Sequence, residues 1–331
     1  MDAQGVLDEA ADTGPDAELR PFAIAAAHHG DRLDRALAAI APEFSRSYLQ
    51  QLIEAGAVSL HGAPATKSSH KVKAGDQGVL ELRPTPQSQA FRPEAMPLDV
   101  VFEDEHLLVV NKPAGLVVHP APGNWSGTLL NGLLARDTGA MLLPRAGIVH
   151  RLDKDTSGLM VVARTRATMD ALVGLIAARD VSRQYVALAH RSWGGAATRH
   201  VDAPIGRDPR NRLRMAVVES GKKAATTIEL LQDAPDGCWV RATLETGRTH
   251  QIRVHMAHIG HPLVADELYG GAPAAGLARQ ALHAYRLAFR HPATSEPLEF
   301  RAALPPDMQD GLRSWGLRYN GLEWLTSHAP G

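Results

Sequence analysis

The sequence predicts an α+β protein: a large domain with a mixed, mostly antiparallel sheet flanked by helices, preceded by a small α/β domain. Three observations predict it. After residue 98 the chain holds many short apolar runs suited to strands (VVFED, HLLVVN, LMVVA, QYVALAH, WVRATLET and LEFRA). Helical segments are interleaved with them but seldom in strict β-α-β order, which points away from a parallel doubly wound sheet. Before residue 84 a separate, shorter set of helix and strand patterns stands apart, with four prolines in residues 84–97 between the two.

Taken in order, residues 1–19 are acidic, small and contain Pro and Gly, and are expected to form a disordered tail. Residues 20–83 are expected to form the small domain. There Leu33, Leu37 and Ile40 fall on one helical face and Pro42 stops the helix. Ser45 is placed to cap a second helix, RSYLQQLIEAG, which ends at Gly56. VSLHG follows as a strand and turn, and KVKAGDQGVLEL as a turn at Gly75-Asp76 and a strand. Residues 84–97 are expected to be the linker, and 98–331 the large domain, with helices around Thr168–Ala178 and Thr249–His258 and a loop at 270–276.

Composition narrows the function classes. A formal net charge of −1 over 331 residues neither favours nor excludes nucleic acid, because a neutral total can hide a basic face. The single cysteine, Cys238, rules out an intramolecular disulfide and suits a reducing cytoplasm. It lies in a β-like run and is expected to be a buried structural thiol. The N-terminus lacks the basic start and apolar core of a secretory signal, and no run approaches the ~20 apolar residues that cross a bilayer. A soluble, cytoplasmic protein is expected.

Four segments could carry chemistry. Gly147-Ile-Val-His-Arg-Leu-Asp-Lys-Asp-Thr-Ser-Gly158 packs His, Arg, Lys and two Asp between apolar strands. Such polar density is expensive to bury unless the groups are paired or used. A solvated charged hairpin explains it equally well. Glu245–His261 turns into a helix on which His250 and Arg253 share a face. That helix either turns cations to water or points Arg253 at a site. His255, His258 and His261 also permit a metal reading, although no H-E-x-x-H and no cysteine pair accompany them. In Ser182–Leu188, Tyr185 reads as an amphipathic strand residue. In the small domain Arg32, Arg35, Arg46, Lys67, Lys71 and Lys73 gather at helix starts and turns, where Ser45-Arg46-Ser47 can meet phosphate.

Together these segments resemble one family. GIVHRLDKDTSGLMVVART is similar to the signature loop of the pseudouridine synthases typified by the ribosomal large-subunit enzymes. Residues 103–134, 182–190 and 245–270 match the same family, and residues 32–62 resemble an S-four-type RNA-binding domain. His61 departs from that domain's usual asparagine, and the first residues and the last ~25 match nothing. The resemblance implies that Asp153 is the catalytic residue and Asp155 is not. It implies that Tyr185 packs against the target ring and Arg253 pairs with Asp153. It further implies that Arg151 fills the place of the extruded base. His150, Thr156, Arg248, His250 and Arg46 are expected to contact the substrate.

The implied reaction breaks the glycosidic bond of uridine and rejoins the ribose at carbon five. It changes no oxidation state, so neither cofactor nor metal is expected. It does need a charged carboxylate. Desolvation under a substrate would favour the neutral acid, and a neighbouring arginine opposes that. The expected partner is structured RNA, large-subunit ribosomal RNA or its precursor particle, with transfer RNA as the alternative, and the enzyme can work as a monomer. An inactive binding protein of the same fold and a metal-dependent hydrolase are the other readings. Deleting residues 1–84 is expected to weaken binding to large RNA while leaving the rest folded; an unfolded truncation, or unchanged affinity by filter binding, would contradict this.

Overall fold

In the computed structural model, which describes residues 18–82, 90–121 and 123–318, the chain divides into two units, residues 1–90 and 91–331. Residues 1–17 of the expected tail, and 319–331, lie outside the described residues.

The first unit contains β1 (Glu18–Ala23), α1 (Leu33–Ile40), α2 (Arg46–Glu54), β2 (Val58–Leu60), β3 (Ala63–Pro64) and β4 (Gln77–Leu82). The strands form an antiparallel sheet in the order β1-β4-β2-β3. The predicted apolar faces do the packing: Leu33, Ala36 and Leu37 of α1 and Leu49 and Ile53 of α2 are fully buried in one cluster with Val58 and Leu80. Ser45 caps α2 as expected, its Oγ accepting the N–H of Tyr48 at 3.2 Å. β1 departs from expectation, since it begins inside the supposed tail. Its ELRPFA sequence has no clean alternation, and Pro21 suits only an edge strand; pairing with β4 supplies what local pattern lacks. His61, at the position of the family's asparagine, takes a left-handed φ of 50°, and its Nε2 lies 3.0 Å from Asp76 Oδ1.

The proline-rich segment is described only in part. Residues 83–89 lie outside the described ones, and 91–97 are already held by the second unit. There Asn131 Nδ2 donates to the Arg92 carbonyl at 2.8 Å, and Glu94 accepts the Gly127 N–H.

The second unit contains β5 (Val100–Glu103), β6 (Leu107–Lys112), α3 (Leu129–Arg136), β7 (Ser157–Ala163), α4 (Arg166–Ala178), β8 (Ser182–His190) and β9 (Thr198–Asp202). These are followed by β10 (Ile205–Arg207), β11 (Met215–Val217), β12 (Ala225–Asp233), β13 (Gly237–Leu244) and α5 (Gln251–His258). β14 (Leu282–Arg290), β15 (Pro297–Arg301) and α6 (Pro306–Ser314) complete it. Among the described residues nine strands form one sheet, ordered β5-β6-β7-β14-β8-β13-β12-β9, with β15 on β14. Only β7 and β14 pair in parallel, so the sheet is mixed and mostly antiparallel. The β10–β11 hairpin stands apart.

The central strands are buried on both faces. Leu108, Val110, Met160 and Val162 join α3 residues Leu129, Leu130, Leu133 and Leu134 in one core. The alternate residues Leu107, Val109, Leu159 and Val161 join Leu172 of α4, Leu287 and Phe289 in another. The six predicted strands are all present. β12 and β14 were not legible, because ATTIELLQD and LHAYRLAFR contain helix formers and charges; their sheet neighbours override that local preference.

β14 lies directly against the start of β7, with Ala284 opposite Gly158. Gly158 has φ +117°, and a Cβ there would stand 2.3 Å from the Ala284 carbonyl oxygen. No side chain fits without parting the strands. Gly158→Ala is therefore expected to destabilise the protein by about 2–5 kcal/mol, combining backbone strain with overpacking. An unchanged urea midpoint would refute the close-approach account.

Candidate active site

The polar loop is not a solvated hairpin. It leaves a tight turn at Gly147, whose φ is +80° and where a Cβ would lie 1.9 Å from the Ala163 carbonyl oxygen. Its inbound limb is a single bridge, Ile148 to Val162, rather than the strand expected. The Thr156 N–H closes a turn on the Asp153 carbonyl at 3.2 Å. Lys112, at the end of β6 and 1% exposed, pins this turn from beneath. Its Nζ donates to the carbonyls of Pro113, Leu116 and Lys154 at 2.9, 2.8 and 2.9 Å. Burial pushes Lys112 down to about 8, against the nearby charges of Asp155 and Asp153. From the other side Arg279 Nη1 donates to the Asp155 carbonyl at 3.0 Å.

Held this way, Asp153 meets α5. Its Oδ2 accepts from Arg253 Nη1 at 3.0 Å, and its Oδ1 lies 3.7 Å from His250 Nε2. Arg253 does not face water. Its Nε and Nη2 donate in a fork to Asp266 at 2.8 Å each, and both side chains are almost fully buried. Burial opposes the charge of Arg253, but Asp266 and then Asp153 more than offset it and hold the guanidinium above its ordinary value. The Tyr269 ring lies 4.9 Å from that guanidinium, and its hydroxyl is 2.8 Å from His250 Nδ1. His250 itself has φ 56° and forms the N-cap of α5, which is why the helix starts at Gln251. Burial keeps His250 below its ordinary pKa against the pull of Asp153.

Asp153 opens onto a cleft of about 840 Å³. Tyr185 from β8 forms part of its wall. Burial raises the Tyr185 pKa, and its hydroxyl has no hydrogen-bond partner among the described residues. Six arginines line the cleft (Arg145, Arg151, Arg179, Arg183, Arg248 and Arg253) against two carboxylates, Asp153 and Glu245. The net charge of the chain therefore conceals a cationic groove suited to a polyanion.

Eight of the nine expected site residues line this cleft. Arg151 is exposed there and forms no hydrogen bond or ion pair among the described residues. Arg248 Nε donates to the Lys223 carbonyl at 3.0 Å, and Thr156 Oγ1 accepts from Gln280 at 3.3 Å. His150 is a wall group: its Nε2 accepts the Val161 N–H at 3.1 Å, and burial, reinforced by Arg183, pushes it down to about 3. The ninth, Arg46, belongs to the first unit. Its guanidinium is committed to the fully buried Asp34 at 3.0 Å, which Arg32 also contacts. It is thus part of that unit's ion-pair network, with its side chain still half-exposed.

The histidines behind the metal reading diverge. His255 Nε2 donates to the Ala203 carbonyl and its Nδ1 accepts from Thr226, while His261 Nδ1 bonds the His190 carbonyl. No group of three potential ligands forms among the described residues. Cys238 is buried, and burial raises its thiol to about 12, as befits a structural residue. Lys112, Asp266 and Tyr269 escaped the sequence reading. They lie inside the stretches that carry the resemblance, but no spacing marks them, since Lys112 works through carbonyls and Asp266 is 13 residues from Arg253.

Both units of the chain match known proteins. Residues 106–258 match the RNA pseudouridylate synthase family and residues 31–77 the S4 domain. The chain is 48% identical to ribosomal large subunit pseudouridine synthase D of Neisseria meningitidis serogroup B, over 84% of this chain and 77% of the relative. It is 45% identical to the protein of that name from Xanthomonas campestris pv. campestris, over 89% and 92%. The solved structure of human RNA pseudouridylate synthase domain containing 1 superimposes with a TM-score of 0.54 at 26% identity, covering 71% of this chain and 97% of that one.

The buried imidazoles set a pH dependence of stability. Burial pushes His283, which bonds Ser157 Oγ at 2.9 Å, down to about 4, and His150 to about 3. Both are protonated in the unfolded chain near pH 6.5 but stay neutral when folded. The unfolded state thus binds more protons below pH 6.5, and stability falls as pH drops from about 6.5 toward 4, by up to about 1.4 kcal/mol per pH unit for each histidine. Urea unfolding across that range is expected to show this slope, reduced in His150→Asn and His283→Asn; an unaltered slope in both variants would refute the assignment.

Proposed function

The chain belongs to the RNA pseudouridylate synthase family and is an RNA pseudouridine synthase, and from that premise we propose that Asp153 is its catalytic carboxylate and large-subunit ribosomal RNA its substrate. One observation carries the reading: Asp153 faces the cationic cleft with its carboxylate fixed by Arg253, itself fixed by Asp266. The enzyme breaks the N1–C1′ bond and forms the C5–C1′ bond of the same nucleotide. A proton leaves C5 and one is gained at N1, so no external reactant enters the balance.

Each group has a task suited to its surroundings. A carboxylate held by a guanidinium can engage the sugar or the ring while the positive charge behind it stays put. Tyr185 offers its ring to the uracil and a neutral hydroxyl to the proton at C5. Arg151, exposed and uncommitted, fills the gap left by the extruded base; extrusion costs a few kcal/mol, which such filling partly offsets. His250, Thr156 and Arg248 border the same space, with His150 behind them. The S4 domain adds a second hold on RNA, chiefly through backbone and shape. The relatives' names and the cationic cleft support ribosomal RNA, or its precursor particle, as the target. No described helix is long and apolar enough to cross a membrane; we place the enzyme in the cytoplasm, acting as a monomer.

Pseudouridine maps of cells lacking the gene are expected to lose defined sites in large-subunit ribosomal RNA, which the wild-type gene restores and Asp153→Asn does not. In vitro Asp153→Asn should reduce turnover at least about 10³-fold. Restoration by Asp153→Asn would sink the catalytic assignment, and losses confined to transfer RNA would sink the substrate assignment.

A further inference from the structure

Arg183 is a buried cation without a counterion. It lies on β8 two residues before Tyr185, hence on the same face and about 7 Å along the strand. It is 7% exposed and lines the cleft, yet its Nε has no hydrogen-bond partner. Among the described residues no carboxylate lies within 4.0 Å of it. Glu245, the nearby acid of the cleft wall, is engaged instead with Arg179 at 3.7 Å and His200 at 3.2 Å. The cleft's other buried arginine, Arg253, has two carboxylates.

A second unpartnered donor stands near Arg183. Because His150 Nε2 accepts the Val161 N–H, its proton sits on Nδ1, and that atom too is buried without a partner. The guanidinium lies close to the Gly247 backbone, where a Cβ would stand 2.9 Å from Arg183 Nη1. A guanidinium stays protonated in any protein. Of this guanidinium the Nε is buried without a partner in the cleft wall, and a charge so placed without a counterion carries a cost in the free protein. A bound anion removes that cost. The anionic group of RNA at neutral pH is the backbone phosphodiester.

We propose that Arg183 anchors a backbone phosphate of the RNA segment whose target uridine rests against Tyr185. This inference rests on the reading that the reaction occurs in this cleft. A phosphate contact carries no base information, so Arg183 sets register and grip for whichever uridine is presented.

Arg183→Met, which keeps the length and removes the charge, tests it in the full-length protein. The probe is large-subunit ribosomal RNA transcribed in vitro and so free of pseudouridine. The free variant should melt no lower than wild type. Its affinity for the transcript should fall about 10- to 100-fold, the effect of losing a charged hydrogen bond. The slope of log affinity against log salt should decrease by about one, while Arg183→Lys keeps the slope. An unreduced slope in Arg183→Met would overturn the anchor, and a lower melting temperature with that slope would make Arg183 a packing residue. Asp153→Asn, measured alongside, isolates the premise: if it binds the transcript but cannot modify it, an unreduced slope in Arg183→Met refutes Arg183 alone. Activity in Asp153→Asn would refute the premise and the anchor together.

Discussion

Arg253 lies between two carboxylates, and the site is organised around that fact. Asp266 holds it from behind through a fork of two 2.8 Å bonds, leaving Nη1 to reach Asp153 at 3.0 Å. A guanidinium suits this because its planar donors are fixed relative to one another. The fork settles where the remaining N–H points, so Asp153 meets a donor whose direction was set elsewhere. Tyr269 adds to the arrangement by lying against the same guanidinium and bonding His250. Remove the rear carboxylate and a buried cation would be left with one partner at the mouth of a cleft, a costly state.

The sheet brings this about. Asp153 precedes β7, Tyr185 lies on β8 and Arg253 on α5, which follows β13. In the sheet β14 is inserted between β7 and β8, so the loop and the tyrosine wall belong to strands separated by one other. The close approach of β14 to Gly158 fixes the outgoing end of the Asp153 loop, and Lys112 ties its middle, at the Lys154 carbonyl, to the carbonyls of Pro113 and Leu116. A loop tied by its backbone leaves its side chains available, which is how so many polar groups can be crowded there. This also separates the two aspartates: Asp153 turns toward Arg253, whereas Asp155 is held by Arg279 through its main-chain carbonyl.

Charge distribution matters more here than charge total. The cleft gathers six arginines in a chain whose formal net charge is −1. They are not equivalent. Arg253 is saturated by carboxylates and Arg179 is near Glu245, while Arg151 and Arg183 hold none. Arg145 is likewise without a carboxylate among the described residues; Arg151 and Arg183 sit at opposite extremes of exposure, one at the surface and one in the wall, which fits different duties toward a folded polyanion. Arg46 differs from both: it stands half-exposed beside a capped helix and also bonds the buried Asp34.

By itself the sequence determined the α+β class, the helices of the S4 unit and six strands of the main sheet, while only its resemblance to the family singled out Asp153, Tyr185 and Arg253 as candidates. The elements are legible because short-range periodicity, like the dense run HRLDKDTSG, is written in consecutive residues. Only the tertiary structure decided which polar groups are spent on one another. It gave Asp266 to Arg253, Asp34 to Arg46, backbone partners to Lys112, His255 and His261, and left Arg183 with none. Those pairings join residues brought together by strand order and burial rather than by spacing. The same holds for β12 and β14, whose local preference is ambiguous until neighbouring strands satisfy their backbone groups.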